Sequence, residues 1–147
     1  MIYATSPFGF LAIDHAGLVA SRRRYQSTTE SLNEVLRDCK KLSMSFNKGQ
    51  GIATVIMYQI SREGYKQALK RKEKHGTPEY DLTALSYSNE AERSSDIITA
   101  TFVDDEYKSR NRVLFQSLKT RDGGGFAPFE ARVEWTCRKI FTCFDTD

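Results

Sequence analysis

The sequence predicts an α/β fold with a mostly parallel sheet that ends in an antiparallel hairpin. Two apolar runs, residues 9–13 and 52–58, flank a segment in which apolar residues recur every three or four positions. Strand, amphipathic helix and strand in this order form the βαβ unit of a parallel sheet. Apolar and charged residues then alternate over residues 129–135, which is typical of a strand with one face in water.

Length and composition indicate a single globular domain over residues 1–147. Charged residues make up 28% and hydrophobic residues 39% of the chain, which excludes an intrinsically disordered protein. No stretch approaches the roughly 18 apolar residues of a membrane span, and the first eight residues do not resemble a secretory signal. We therefore expect a cytoplasmic protein without a membrane partner. Cys39, Cys137 and Cys143 lack metal-ligand spacing and are predicted to be reduced thiols.

The first helix is predicted to begin at Ser27, which forms a capping box with Glu30. Its apolar face holds six residues, namely Leu32, Val35, Leu36, Cys39, Leu42 and Phe46. Residues 47–51 contain two glycines and end the helix before the second strand. The basic stretch 66–74 is a solvated helix or a mobile loop, and a contact with a phosphate backbone is the functional alternative to a solvated face.

The second half of the chain is predicted to be richer in strands. A short helix over residues 90–96, opened by Ser88 or Asn89, precedes a β-branched strand at 97–102. The acidic segment 104–111 is predicted to be a loop. Strands at 113–118, 129–135 and 141–144 follow, with the glycines 123–125 at a hairpin tip.

Asp14 and Gln59 each follow one of the two parallel strands. Ligands of open α/β sheets bind at the carboxyl ends of such strands, so a carboxylate there can hold Mg²⁺ against nucleotide phosphates. A buried strand with a capping aspartate is the alternative for Asp14. Lys119 and Arg121 are two positions apart on an extended segment and point the same way, which suits a clamp on phosphate oxygens. Two basic residues on an exposed hairpin are the alternative.

Four short motifs succeed one another in an order that is not expected by chance. Ile13-Asp14-His15 resembles the end of a Walker B strand, and residues 58–62, Tyr-Gln-Ile-Ser-Arg, resemble a polar sensor run. Residues 85–96 partly match a segment that reads Leu-Arg-Glu-Ser-Gly, and residues 119–123 closely match a Lys-X-Arg-Asn-Gly hairpin. Together they resemble the ATPase domain of hexameric DnaB-like replicative DNA helicases, from about residue 10 to residue 144.

The resemblance implies the carboxyl-terminal half of a RecA-like P-loop NTPase core, part of a hexamer that unwinds duplex DNA by translocating on single-stranded DNA. ATP and Mg²⁺ are the implied cofactors. Asp14 and His15 would lie at the nucleotide, with Asp14 serving Mg²⁺ through a coordinated water. Gln59 would sense the γ-phosphate. Lys119 and Arg121 would act catalytically as an arginine finger on the nucleotide of a neighbouring subunit.

The resemblance also implies that Ser86, Tyr87, Ser88 and Asn89 hold the backbone of single-stranded DNA. In this segment Ser86 replaces an arginine of the family, Tyr87 a glutamate and Asn89 a glycine. Hydroxyl and amide groups can bind phosphate oxygens and Tyr87 can stack on a base, whereas the ordinary polarity of a surface loop is the alternative reading.

The sequence contains no Gly-X-X-X-X-Gly-Lys-Ser/Thr phosphate loop, and its only glycine cluster, residues 123–125, lacks the lysine. The family's catalytic glutamate would lie upstream of Met1. We therefore expect the chain alone neither to hydrolyse ATP nor to unwind DNA, and its partner to be a homo-hexamer or a complementary N-terminal half carrying Walker A. A non-enzymatic remnant, or a module that binds DNA or a helicase subunit, is the alternative. An uncovered apolar strand edge would favour dimers or aggregates.

Overall fold

The computed structural model describes residues 9–23, 25–85 and 89–141 and confirms the α/β class. The helices are α1 (Thr28–Gly49), α2 (Arg62–His75), α3 (Asn89–Ser94) and α4 (Asp105–Ser109), and the strands are β1 (Phe10–Ile13), β2 (Ala53–Ile56), β3 (Ile97–Phe102), β4 (Arg112–Thr120), β5 (Phe129–Glu134) and β6 (Lys139–Phe141). Two compact units are present, one over residues 1–61 and 85–95 and one over residues 62–84 and 96–147.

The first unit contains the predicted βαβ arrangement. Strands β1 and β2 are parallel, with Phe10 opposite Ala53 and Ile13 opposite Ile56. Helix α1 connects them and begins directly after Ser27, although the Ser27 side chain makes no capping hydrogen bond. The predicted start is therefore confirmed, while the side-chain bond expected of a capping box is not formed.

The core of the first unit lies between α1, α3 and one face of the parallel pair. Ala16, Leu36 and Ala91 are buried there, and four partly buried residues pack against them: Leu32, Ile56, Tyr58 and Leu85. Leu42 was predicted on this apolar face but is 48% exposed. The reason is length, because four-residue strands extend only about 13 Å and cannot cover the last turns of a longer helix.

The opposite face of the parallel pair is apolar and exposed. Side chains alternate along both strands, so Phe10 and Ala12 of β1 share this face with Ala53 and Val55 of β2, and all four are exposed. Phe10 is 56% exposed and Val55 44% exposed. Parallel sheets ordinarily have both faces covered, so this face has the composition of a core surface.

The second unit is built on a four-stranded antiparallel sheet in the order β3-β4-β5-β6. The sheet content of the described residues is therefore mainly antiparallel, contrary to the predicted mostly parallel sheet. Short connections explain the difference, because a parallel crossover needs a dozen or more residues between strands. Register changes between Ile98–Lys119 and Thr99–Ser117, so Leu118 is the extra residue of a bulge in β4.

Aromatic side chains form the centre of the second unit around the fully buried Phe102. Tyr65 stacks on Phe102 with ring centroids 5.5 Å apart, Tyr80 lies at 5.9 Å, and Tyr107 meets it edge-on at 5.6 Å. Burial of the Tyr80 phenol, with a smaller contribution from Tyr65, raises its pKa to about 12. Such pairs add roughly 0.5–1.5 kcal/mol each beyond burial.

Helix α4 occupies the segment that was predicted to be a loop. Asp104 accepts a hydrogen bond from the Tyr107 backbone N–H at 2.9 Å, which caps the helix, and Tyr107 is buried against Phe102. The loop prediction was wrong because one aromatic contact and one cap outweigh an otherwise polar composition.

Gln116 of β4 is a buried polar side chain that fixes the segment before residue 81. Its Nε2 donates to the Pro78 carbonyl at 3.1 Å, and its Oε1 accepts from the Tyr80 N–H at 3.2 Å. Both amide atoms therefore have partners, and together they hold Tyr80 against the aromatic cluster.

Replacing Gln116 by Leu should lower the free energy of unfolding by about 2 kcal/mol, because two backbone groups would lose their buried partners. Urea unfolding followed by circular dichroism measures the change. Gln67→Leu, on a partly exposed position of α2, serves as the control and should change stability by less than about 0.5 kcal/mol. Equal losses in the two variants would contradict the assigned role of Gln116.

An ion-pair network joins α2 to the start of α4. Lys72 Nζ lies 2.5 Å from Asp104 Oδ2 and 2.6 Å from Glu106 Oε2. Partial burial would raise the pKa of Asp104, but the hydrogen bonds from Lys72 and from the Tyr107 N–H outweigh it and hold the pKa below its ordinary value. The charged form is therefore favoured by folding.

Stability of the chain should consequently fall at acid pH. A lowered folded-state pKa contributes stability that is present above the ordinary value of 3.8 and is lost as the pH falls through the folded value. Asp104→Asn keeps a capping oxygen but loses the ion pair, so it should cost about 1–2 kcal/mol at pH 7 and show a smaller further loss between pH 5 and pH 2. Asp105→Asn is the matched control, and unfolding curves across this pH range would reveal an identical acid response if the pair contributes nothing.

Candidate functional site

Asp14 and Gln59 lie at the same edge of the parallel pair. The ladder continues past both strands, with the Met57 N–H donating to the Ile13 carbonyl at 2.9 Å and the Ala16 N–H donating to the Met57 carbonyl at 3.2 Å. Asp14 follows β1 directly, Gln59 comes three residues after β2, and both are exposed. The structure thus brings these two predicted site residues to one edge, as the sequence indicated.

His15 is held by the turn that follows Asp14. Its Nδ1 accepts a hydrogen bond from the Gly17 N–H at 3.1 Å and caps a 3₁₀ turn over Ala16–Leu18. A Cβ atom on Gly17 would lie 2.9 Å from the imidazole Cε1, so the ring occupies the space that a side chain would need. The position of the imidazole beside Asp14 therefore depends on a glycine two residues later.

Gly17→Ala should displace the His15 ring and remove its capping bond, at a cost of about 0.5–1 kcal/mol. The ring nitrogen and Cε1–H resonances of His15, separated from those of His75 by a His75→Gln variant, should shift in NMR spectra. Gly124→Ala introduces a methyl group into open space and serves as the control. Unchanged His15 resonances in Gly17→Ala would show that the ring is not positioned by this contact.

Lys119 and Arg121 belong to the second unit, at the end of β4. Lys119 pairs with Ile98 directly after the bulge at Leu118, and Arg121 is the first residue beyond the strand. The Arg121 N–H donates to the Asp96 carbonyl at 2.8 Å, and its Nη1 lies 3.3 Å from Asp96 Oδ1. Asp96 thus holds both the backbone and the guanidinium of Arg121, a partner that the sequence did not predict.

The predicted DNA-binding segment is described only at its end. Ser86, Tyr87 and Ser88 lie outside the described residues. Asn89 is exposed and is the first residue of α3. Its neighbour Glu90 lies 3.8 Å from Arg37 of α1, which ties the start of this helix to the first unit.

A basic cavity of about 300 Å³ in the first unit was not predicted as a site. It is lined by Arg22, Arg23, Tyr25, Glu34, Arg37, Asp38 and Lys41. Arg22 Nε lies 3.2 Å from Asp38 Oδ2, and Arg23 Nε lies 3.9 Å from Glu34 Oε1. The run of arginines after residue 21 was the available signal, but these ion pairs commit two of them to the surface of α1.

Among the described residues there is no cluster of three or more His, Cys, Asp or Glu side chains that could hold a metal ion. Any metal bound by this part of the chain would therefore need ligands from elsewhere, such as water and phosphate oxygens. Within the same residues, none of the helices has both the length and the apolar character required to cross a bilayer.

The chain has the fold of part of a replicative-helicase ATPase domain, which confirms the predicted resemblance at the level of fold. A DnaB-like replicative helicase, studied with its interactions with primase, matches with a TM-score of 0.65 and 22% identity over 86% of this chain and 28% of that chain. The ATPase domain of a second helicase matches with a TM-score of 0.69 and 23% identity over 89% of this chain and 43% of that chain.

The chain therefore spans less than half the length of either structure that it resembles. No protein-family model matches the sequence. A search of curated proteins likewise finds no significant match.

Proposed function

We propose that this chain is the carboxyl-terminal half of a RecA-like P-loop ATPase core and serves an ATP-dependent, DnaB-like replicative DNA helicase. The observation that carries the proposal is the shared edge of β1 and β2, which exposes Asp14 and Gln59 together. This is the edge at which ligands of α/β sheets bind. The fold similarity supports a helicase ATPase domain over other α/β proteins.

Asp14 fits a Mg²⁺ site that nucleotide phosphates complete. Its carboxylate is exposed and forms no ion pair within the part of the chain that the structure describes. Mg²⁺ retains several waters and takes only one or two protein carboxylates, so a single aspartate is sufficient. Bound with ATP, the ion would neutralise phosphate charge. Asp14 would hold a coordinated water in place, with His15 fixed beside it by Gly17.

Gln59, Lys119 and Arg121 have the chemistry for the remaining steps. The Gln59 amide donates and accepts hydrogen bonds, so it can respond to the presence of a γ-phosphate. Lys119 and Arg121 supply positive charge that stabilises a transferring phosphoryl group, on the nucleotide of a neighbouring subunit. The pair between Arg121 and Asp96 is about half exposed on both sides, and exposed pairs cost little to open. The guanidinium is thus available to a nucleotide.

The partner is a homo-hexamer, or a complementary N-terminal half that carries the phosphate loop. The exposed apolar face of the parallel pair supports the second partner, because further strands and helices would bury Phe10 and Val55. Single-stranded DNA is the proposed polymer substrate, held by Ser86, Tyr87, Ser88 and Asn89. The chain alone does not hydrolyse ATP in this proposal.

Co-expression with a candidate N-terminal half should create Mg²⁺-dependent binding of a fluorescent ATP analogue that the chain alone lacks. In the reconstituted protein, Arg121→Ala should lower the ATPase rate by about 10³-fold while nucleotide binding persists, because its charge acts on the transition state. Arg138→Ala, at an exposed arginine in the turn between β5 and β6, is the control and should retain activity.

Other outcomes would count against this function. ATP hydrolysis by the purified chain alone, abolished by Asp14→Asn, would contradict the need for a partner. Absence of nucleotide binding with every partner tested would favour the alternative, a non-enzymatic module that binds DNA or a helicase subunit.

A further inference from the structure

Helix α2 carries a row of exposed cations that the proposed nucleotide site does not use. Arg62, Lys66, Lys70 and Lys74 recur every four residues, and all four are exposed. Residues four apart on a helix are neighbours on its surface. At 1.5 Å per residue, the row places a cation about every 6 Å and extends about 18 Å.

The other two cations in the same helix are committed to the fold. Arg71 Nη2 lies 2.6 Å from Asp81 Oδ2, and Lys72 Nζ lies 2.5 Å from Asp104 Oδ2. By contrast, the cation row forms no ion pair within residues 9–23, 25–85 and 89–141. The fold of the second unit therefore uses the inner cations of α2 and leaves the outer ones to solvent.

The exposed surface of α2 is entirely polar. Its exposed members are the cation row together with Glu63, Glu73 and His75, so four cations face two carboxylates. The small residues Gly64 and Ala68 are buried on the inner side. An interfacial membrane helix needs large apolar side chains to insert, and a protein interface needs apolar anchors at its centre. Neither is present on this surface.

We propose that the cation row of α2 binds the phosphate backbone of a nucleic acid strand. Its regular repeat of about 6 Å is close to the distance between successive phosphates of an extended strand. Lysine and arginine contacts of this kind bind without reading sequence. The row includes neither Asp14 nor Arg121, so this inference holds whether or not the chain takes part in ATP hydrolysis.

The test uses the whole chain without nucleotide or Mg²⁺, so its failure would be separate from failure of the ATPase proposal. Binding of fluorescein-labelled oligothymidylate is followed by anisotropy over a range of salt concentrations. The variant K66Q/K70Q/K74Q should lose about tenfold or more in affinity at 0.1 M salt. The slope of log K against log salt should decrease by about 2, since each contact on a single strand contributes about 0.7.

The matched control is K48Q/K108Q/K139Q, which removes the same charge from three exposed lysines outside α2. It should retain most of the affinity. A second variant, E63Q/E73Q, removes the two carboxylates that oppose the row and should bind more tightly. That gain cannot result from misfolding, and K66R/K70R/K74R should bind as the unmodified chain does.

Equal losses in the row variant and the control, or no gain in E63Q/E73Q, would overturn the proposal. So would absence of binding to oligothymidylate and to duplex DNA by the unmodified chain. Comparison of the two DNAs identifies the preferred strand form. Row-dependent binding to phosphatidylserine vesicles without DNA binding would assign the surface to a membrane instead and would also overturn the proposal.

Discussion

The parallel pairing of β1 and β2 is the constraint on which the candidate site depends. Parallel strands must both begin at one edge and end at the other, so the residues that follow them meet at a common edge. Helix α1 supplies the crossover, and the contact of Leu36 with Ile56 fixes it to one face. Asp14 and Gln59, 45 positions apart in sequence, share an edge for this reason alone.

The second unit depends on a different principle. Its antiparallel sheet requires only short connections, and Phe102 supplies a buried centre around which three tyrosines pack. Gln116 converts an irregular segment into a defined one by satisfying its backbone groups. Arg121 gains its position from this sheet, because Asp96 immediately before β3 holds the first residue after β4.

Sequence reasoning succeeded where periodicity and chain direction decide the outcome. The boundaries of β3 and the start of α1 were predicted correctly, and so was the common edge of Asp14 and Gln59, because each follows from local pattern or from parallel pairing. It failed for α4, since the contact between Tyr107 and Phe102 is tertiary and has no local signature. It failed for the pairing of β3, because a β-branched run does not reveal whether its neighbour is parallel. The contact of Asp96 with Arg121 was out of reach for the same reason.

The cations of this chain illustrate why distribution is more informative than total charge. A net charge of +3 is too small to identify a partner. Yet Lys72 is bound by two carboxylates, Arg121 shares one exposed carboxylate, and the cation row of α2 has none among the described residues. A cation enclosed by carboxylates stabilises the fold, whereas a cation that the fold leaves unpaired retains its attraction for an outside anion. Burial and pairing therefore separate structural charges from charges available for recognition, a distinction that composition cannot make.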